Sequence, residues 1–361
     1  MSKIRLGFVG VGGMGQAAHL QHYAVNSECE VVAIAEIRPK LRAAVASRWG
    51  IPRTYANHRE MLAAEQLDAL VAIQPFTLHG QLIPELLAYG RPVLTEKPIA
   101  RSTEAADRII AAEKATPGAR LCVAYHKRSD PATMWMKDRM QALAASKELG
   151  ALRYIRVTMP PGDWVANGFS HLIRTDDAGF GDKVAWDAAP AGFSEADAKA
   201  HEAFVNYYIH QVNLLRHLFG ESYRVAHADP AGVTMTVQSA SGTTGLLEMA
   251  PYSLATEWQE VALVCYEKGW LRLRLFAPMT SGRAGEIEVC EDKGDGKGLT
   301  WHPTMPWIGA MQNQAANFLK AVRGESTPLC GAADARADID IANQYIRMVT
   351  ATRGQAAQAK G

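Results

Sequence analysis

The chain is poor in the features that mark several protein classes. Its 361 residues hold five cysteines, Cys29, Cys122, Cys265, Cys290 and Cys330, odd in number and scattered. No CxxC pair or Cys/His cluster occurs, which argues against a zinc site, a redox dithiol or a disulfide framework. The cysteines read as reduced packing residues, and no metal is expected. No charge of one sign dominates, since 38 Lys plus Arg face 37 Asp plus Glu, and no electrostatic footprint for nucleic acid or an anionic membrane follows. Apolar runs are too short and interrupted to span a bilayer. A strand-like segment, Ile4 to Val9, begins almost at Met1, so no signal peptide is expected and the protein reads as cytoplasmic.

What is present is an ordinary globular composition, 48% hydrophobic and 21% charged, in a chain long enough for two domains. Residues 1–125 alternate in βα fashion. Strand candidates are Ile4–Val9, Val31–Ala35, Ala69–Ile73, Pro92–Thr95 and Arg120–Ala124. Helical stretches between them are Met14–Val25, Arg38–Arg48, Leu78–Tyr89 and Ser102–Lys114. That alternation predicts a doubly wound parallel sheet. Residues 126–361 change pattern, with strand candidates Ala151–Met159, Val233–Gln238, Thr243–Met249, Val261–Tyr266, Trp270–Phe276 and Glu286–Glu291. Short glycine-containing connections favour antiparallel pairing among them. Leu271 to Leu275 alternates strictly, with leucines on one face and Arg272 and Arg274 on the other, either solvated or in a subunit contact. Helices Met311–Val322 and Ala332–Thr350 close the chain.

Gly10, Gly12 and Gly15 form a G-x-G-x-x-G directly after the first strand and at the start of a helix. Gly10 permits the tight turn, Gly12 lets backbone approach a pyrophosphate, and Gly15 lets helix and strand pack closely. The amides of Gly13 and Met14 would sit at the helix N-terminus, where unpaired donors and the helix dipole favour an anion. Glu36 ends the second strand, where a carboxylate accepts from ribose hydroxyls and repels a 2′-phosphate, favouring NAD over NADP. Arg38 either receives such a phosphate or is a solvated residue opening a helix at Pro39.

Glu96-Lys97-Pro98 follows the strand candidate Pro92–Thr95. In an open α/β sheet ligands bind beyond the carboxyl ends of the strands, so Lys97 stands where cofactor and substrate would meet. Taken with Gln74-Pro75 and His79, His126 to Pro131, and a helix bearing His210, the ordered set resembles the Gfo/Idh/MocA family of NAD(P)-dependent oxidoreductases, which includes inositol and sugar dehydrogenases. The resemblance covers most of the chain. It implies a Rossmann domain over residues 1–125 and a substrate-binding and oligomerisation domain over 126–361, with a large open, mostly antiparallel sheet and C-terminal helices. It also implies a homodimer or homotetramer.

The resemblance gives Lys97 contacts to the nicotinamide ribose and the substrate, with Glu96 beside it. It places Gln74 by the cofactor ribose, and leaves His79 either a cofactor contact or a packing histidine. An ammonium near a reacting hydroxyl favours its deprotonation, and partial desolvation lowers a lysine pKa towards working pH. His126 stands where the family often has asparagine. Lys127 and Arg128 either hold polar or anionic substrate groups or pair with Asp130 or Asp138.

Asn206 to Gly220 reads as one helix with positions 206, 210, 213 and 217 on a shared face. Relatives commonly carry Asp-x-x-x-His-x-x-Asp there, the histidine acting as acid/base. Here His210 matches, but asparagines, Asn206 and Asn213, replace both aspartates. They can orient a ring or bind a substrate hydroxyl, yet supply no charge, so more of the proton relay falls on Lys97. The long segment before this helix holds Asp163, Trp164, His171, Arg174, Asp176, Asp177, Lys183 and Trp186. Segments of this length are usually lids or binding loops, and Asp163 and Trp164 are candidates for sugar hydroxyls and a sugar face.

These residues point to NAD-linked oxidation of a secondary alcohol of a sugar, cyclitol or sugar derivative. The runner-up is an NAD-dependent glycoside hydrolase working by transient oxidation, elimination, hydration and re-reduction. A third reading, prompted by the missing aspartates, is a non-catalytic NAD-binding sensor.

Overall fold

The computed structural model describes residues 2–179, 186–250, 252–292 and 294–358, the last five as backbone only. Lys183 lies outside them. The chain forms two compact units. The first holds Met1–Tyr125, Asn167–Gly192 and Met311–Ile339, and the second His126–Ala166, Phe193–Ala310 and Asp340–Gly361. The chain therefore returns to the first unit twice after residue 125.

The first unit is built on strands β1 (Ile4–Val9), β2 (Cys29–Ala35), β3 (Arg53–Tyr55), β4 (Ala69–Ala72), β5 (Pro92–Thr95) and β6 (Arg120–Val123). They pair in parallel in the order β3-β2-β1-β4-β5-β6, the doubly wound arrangement with its switch point between β1 and β4. β1 and β4 are almost wholly buried, as central strands covered on both faces must be. Between strands run α1 (Gln21–Ala24), α2 (Pro39–Trp49), α3 (His58–Ala64), α4 (His79–Leu87) and α5 (Thr103–Ala115). Asn57 and Ser102 cap α3 and α5 by accepting from the amides of Glu60 and Ala105.

The expected helix from Met14 is not uniformly α. Residues Gly15–Leu20 form a π-helical turn before α1.

The second unit carries α6 (Pro131–Ser146), α7 (Glu195–Tyr207), α8 (Ile209–Phe219) and an eight-stranded sheet of β7 (Leu152–Thr158), β8 (Tyr223–Ala228), β9 (Thr234–Ser239), β10 (Thr244–Glu248), β11 (Glu260–Tyr266), β12 (Gly269–Leu275), β13 (Glu286–Glu291) and β14 (Leu299–Trp301). The order is β14-β13-β12-β11-β7-β10-β9-β8, antiparallel except for the β7/β10 pair. One face buries Ile155, Val157, Ala262, Val264, Leu271, Leu273, Ile287 and Val289. On the other, Arg272 pairs with Glu288 and Arg274 with Glu286 across the β12/β13 ladder. Two helices end the chain, α9 (Ala310–Val322) and α10 (Ala332–Gln358). Phe318 and Leu319 of α9 join the core cluster of β1 and β2, and the Phe318 ring meets Tyr23 edge-on at 6.3 Å.

Candidate active site

In the first unit the turn after β1 is made by Gly10, at φ +89°. A Cβ there would overlap the Ile73 carbonyl oxygen and the Gln74 side chain, so no larger residue fits. A Cβ on Gly15 would stand 2.6 Å from the Gly10 carbonyl oxygen, which explains the third glycine. The helix opens at Gly13 and Met14, whose first-turn amides have no acceptor in their own helix. Gln74 lies two residues past β4, against Gly10 at the same edge of the sheet.

Glu36 ends β2 as expected, and its carboxylate is almost fully buried. Oε1 accepts from the Arg38 amide at 3.1 Å and Arg38 Nε at 2.9 Å. Oε2 accepts from the Val11 amide at 3.1 Å and the Arg38 terminal nitrogen at 3.0 Å. Burial alone would push this carboxyl up, but the Arg38 hydrogen bond and the two amides hold it below the usual carboxylate range. A carboxylate has about four lone-pair sites, and the protein fills all of them. Arg38 is thus the partner of Glu36 rather than a solvated helix opener.

At the end of β5, Glu96 and Pro98 are buried and Lys97 is half-buried. The Lys97–Pro98 peptide bond is cis. Glu96 Oε2 accepts from the Lys97 amide at 3.1 Å, and Oε1 lies 2.7 Å from His19 Nε2. His79 corrects its cofactor-contact expectation. It is 0% exposed, with Nδ1 3.2 Å and 3.1 Å from the carbonyl oxygens of Pro98 and Ile99. Burial pushes its pKa down, against the three backbone carbonyls that push it up. Nε2 stands 3.2 Å from the Gln74 carbonyl oxygen and 3.4 Å from the Thr95 hydroxyl, which itself donates to the Ala72 carbonyl. His79 braces the Lys97 loop and has no surface left for a ligand. Glu96 likewise spends its carboxylate inside the protein.

The segment 167–179 lies along the nucleotide fingerprint of this unit. Gln16 makes a two-way bond with Ile173, donating to its carbonyl at 3.1 Å and accepting from its amide at 3.0 Å. Leu172 stands 3.6 Å from where a Gly13 Cβ would be. Asp177 accepts from the Lys40 amide at 2.7 Å at the start of α2. Asp187, which the sequence did not single out, is buried and accepts from the Gly80 amide at 2.7 Å and from Arg108 at 3.1 Å. Trp186 is 45% exposed.

In the second unit a short 3-10 turn, His126–Ser129, buries all four of its residues. Lys127 pairs with Glu260 at 2.5 Å, and Gln211 donates to the other Glu260 oxygen at 2.8 Å. Arg128 Nε donates to Asn213 Oδ1 at 2.7 Å. To the two readings of these cations, substrate contact or pairing with Asp130 or Asp138, the structure adds Glu260 as a partner of Lys127 and Asn213 as a partner of Arg128. Asp130 caps α6 through the Ala132 amide and accepts from Gly285. His126 and His210 meet edge to face, ring centroids 4.6 Å apart. A cleft beside the turn is lined by His126, Lys127, Asp130, Phe276, Thr280 and Arg283.

The single helix expected over 206–220 is two. The chain breaks at Tyr208 (φ −89°, ψ −4°), between α7 and α8. Two tyrosines and an isoleucine there have weak helix preference, and the Tyr208 hydroxyl is held by the Met249 carbonyl at 3.2 Å. Asn206 is exposed at the end of α7, while His210 and Asn213 lie on α8, with Asn213 buried. Asn206 and His210 thus do not share one helix face. Asp163 accepts from the amides of Val165 and Ala166, forming its own turn, and the Trp164 carbonyl accepts from the Met279 amide at 3.3 Å.

Among the described residues no group of three or more His, Cys, Asp or Glu side chains is arranged to hold a metal ion. No helix among them is long and apolar enough to cross a membrane.

Residues 4–125 match the sequence model of the oxidoreductase family with an NAD-binding Rossmann fold, Gfo/Idh/MocA. The rhizopine catabolism protein MocA of Rhizobium meliloti is 25% identical over 97% of this chain and 96% of its own length. Residues 4–125 thus carry that family's NAD-binding Rossmann domain, and the likeness to MocA runs nearly the whole length of both chains. An inositol 2-dehydrogenase of Rubrobacter xylanophilus is 31% identical, over 41% of this chain and 42% of its own length, so that likeness spans less than half of either protein. The structure of a levoglucosan dehydrogenase in complex with NADH and levoglucosan has the same fold, with a TM-score of 0.70, 19% identity and coverage of 97% of this chain and 98% of that one. The glycine cradle, the helix-opening amides and the buried Glu36 suit the NAD that the family binds.

Proposed function

We propose that this protein interconverts a secondary alcohol of a sugar, cyclitol or sugar derivative and its ketone, with NAD as hydride carrier. The observation that carries this reading is the common edge of one parallel sheet, where the Gly10–Gly15 cradle, Glu36 and Lys97 follow β1, β2 and β5. NAD, when bound, supplies the hydride acceptor. The glycine backbone and helix amides would hold its pyrophosphate, and Glu36 would take its adenosine ribose by giving up a hydrogen bond from Arg38. Lys97, half-buried and fixed through its own amide, would stabilise the developing alkoxide and assist proton transfer. His210, its ring against His126, would take the hydroxyl proton, and Arg128 and Asn213 would orient substrate hydroxyls.

The names of the relatives support the substrate class, and no observation favours the glycoside-cleavage alternative. The open face of the eight-stranded sheet, with half-buried Val261, Leu263 and Cys265, supports a homodimer or homotetramer formed there. Light scattering of the parent protein and of Leu263→Arg measures it.

The test is nicotinamide absorbance across a panel of sugars and cyclitols with NAD. Reduction of NAD by at least one, lost in Lys97→Ala, is expected. No change with any of them overturns the reading.

A further inference from the structure

His19 belongs to neither the glycine fingerprint nor the proposed proton chemistry, yet it is among the most enclosed polar groups of the first unit. Its side chain is 2% exposed and that of its partner Glu96 12%. Burial would push the Glu96 carboxyl up, but the hydrogen bond and charge of His19, with help from Lys97, hold it below the usual range. An ionised carboxylate only accepts, so His19 Nε2 carries the proton and donates across the 2.7 Å contact. The other oxygen of the same carboxylate accepts from the amide of Lys97. One buried carboxylate thus links a ring on the nucleotide-binding helix to the backbone of the lysine.

The local helix form sets this up. His19 lies in the π-helical turn Gly15–Leu20. One extra residue in a turn rotates the rest of the helix by about 100° around its axis, and such turns are frequent at functional sites. The same turn buries a second polar side chain, Gln16. On the other side of the Lys97 loop, His79 holds the carbonyls of Pro98 and Ile99. Lys97 is therefore clamped by its own amide on one side and by the two carbonyls after it on the other. Only the first clamp reaches the helix that carries the fingerprint.

We propose that His19 is a positioning residue for Lys97: acting through Glu96, it fixes where the lysine ammonium stands relative to a nucleotide bound on the same helix. The proposal rests on the role given to Lys97 above.

The test uses the full chain. Lysines are labelled by reductive 13C-methylation, and the Lys97 resonance is identified by its loss in Lys97→Ala. His19→Phe removes the donor while keeping bulk, and His19→Gln restores an amide donor. In His19→Phe the Lys97 resonance is expected to shift or broaden while other lysine signals hold, with the Kd for NAD unchanged within about threefold. With an alcohol from the panel, kcat is expected to fall on the order of 10- to 100-fold, the effect of misplacing a reacting group by about 1 Å. KM should hold, and His19→Gln should recover most of the loss.

An unchanged Lys97 resonance and kcat in folded His19→Phe overturn the proposal. So does a kcat loss that merely follows weaker NAD binding. If His19→Phe does not fold, Glu96→Gln replaces it, with the same expected resonance change and the same overturning result. Activity retained in Lys97→Ala, by contrast, overturns the role of the lysine itself, so the two failures are told apart.

Discussion

Arg38 occupies every lone-pair site of Glu36 that the Val11 amide leaves open. A ribose hydroxyl or a 2′-phosphate must therefore compete within this pair. Removing the guanidinium in Arg38→Ala frees the carboxylate, so the preference for NAD over NADP should rise. Glu36→Ala leaves the guanidinium unopposed and should lower it. A charged hydrogen bond is worth about 1.5–3 kcal/mol, so shifts of roughly 10- to 100-fold in the ratio of kcat/KM values are expected, read from steady-state kinetics with both cofactors. A second residue-scale prediction concerns the buried Lys127–Glu260 pair, whose side chains are 4% and 0% exposed. Glu260→Leu alone strands a buried ammonium and should cost about 3–5 kcal/mol in urea unfolding. Adding Lys127→Met should recover much of that cost. The glycines, Glu36 and Lys97 were legible because each follows an apolar strand at a position that chemistry constrains. The partners were not: Arg128 and Asn213 are 85 residues apart, and Lys127 and Glu260 133. No local spacing predicts which distant side chain a buried charge will find.

At the scale of elements, strands with continuous or alternating apolar residues were readable to within a residue or two. β3 escaped because it is a three-residue edge strand with two exposed positions. β8 escaped because a bulge between Val225 and His227 breaks its alternation. The π-helical turn has no signature in composition, and the break at Tyr208 overrode a periodicity that was otherwise helical. The long segment of about 160–200 read as a possible lid, and within the first unit Ile173, Asp177 and Asp187 of it hydrogen-bond to Gln16, Lys40 and Gly80. Asp187→Ala removes the acceptor of the Gly80 amide at the head of α4. Leaving that buried donor unpaired should cost about 1–3 kcal/mol. Limited proteolysis should then cut within 167–192 faster than in the parent protein.

At the scale of the whole molecule, protons report on half-buried His22 and buried His79. Burial, aided by the charge of His19, pushes His22 down to about 4, and burial lowers His79 as well. The unfolded chain takes up protons near pH 6.5, where the folded chain does not. Their stabilisation is therefore complete above pH 6.5 and is lost as the pH falls, for His22 down through about 4. For His22 this is on the order of 2–3 kcal/mol. The depressed carboxyls of Glu36 and Glu96 act lower, their contribution present above about pH 4.5 and lost below it. The urea midpoint should stay level from pH 8 to 7 and decline steadily from 6.5 to 4. His22→Gln should flatten the upper part of that decline.

The core of the first unit takes Phe318 and Leu319 from α9, far along the chain from the strands they cover. During synthesis, β1 to β6 leave the ribosome first. At about 5–20 residues per second, α9 follows roughly 10–40 s later. For that interval the nascent sheet carries an uncovered apolar face, and a chaperone that binds such faces has its window there. A messenger that slows translation between the codons for residues 125 and 311 should lower the soluble yield of a protein whose amino-acid sequence is unchanged.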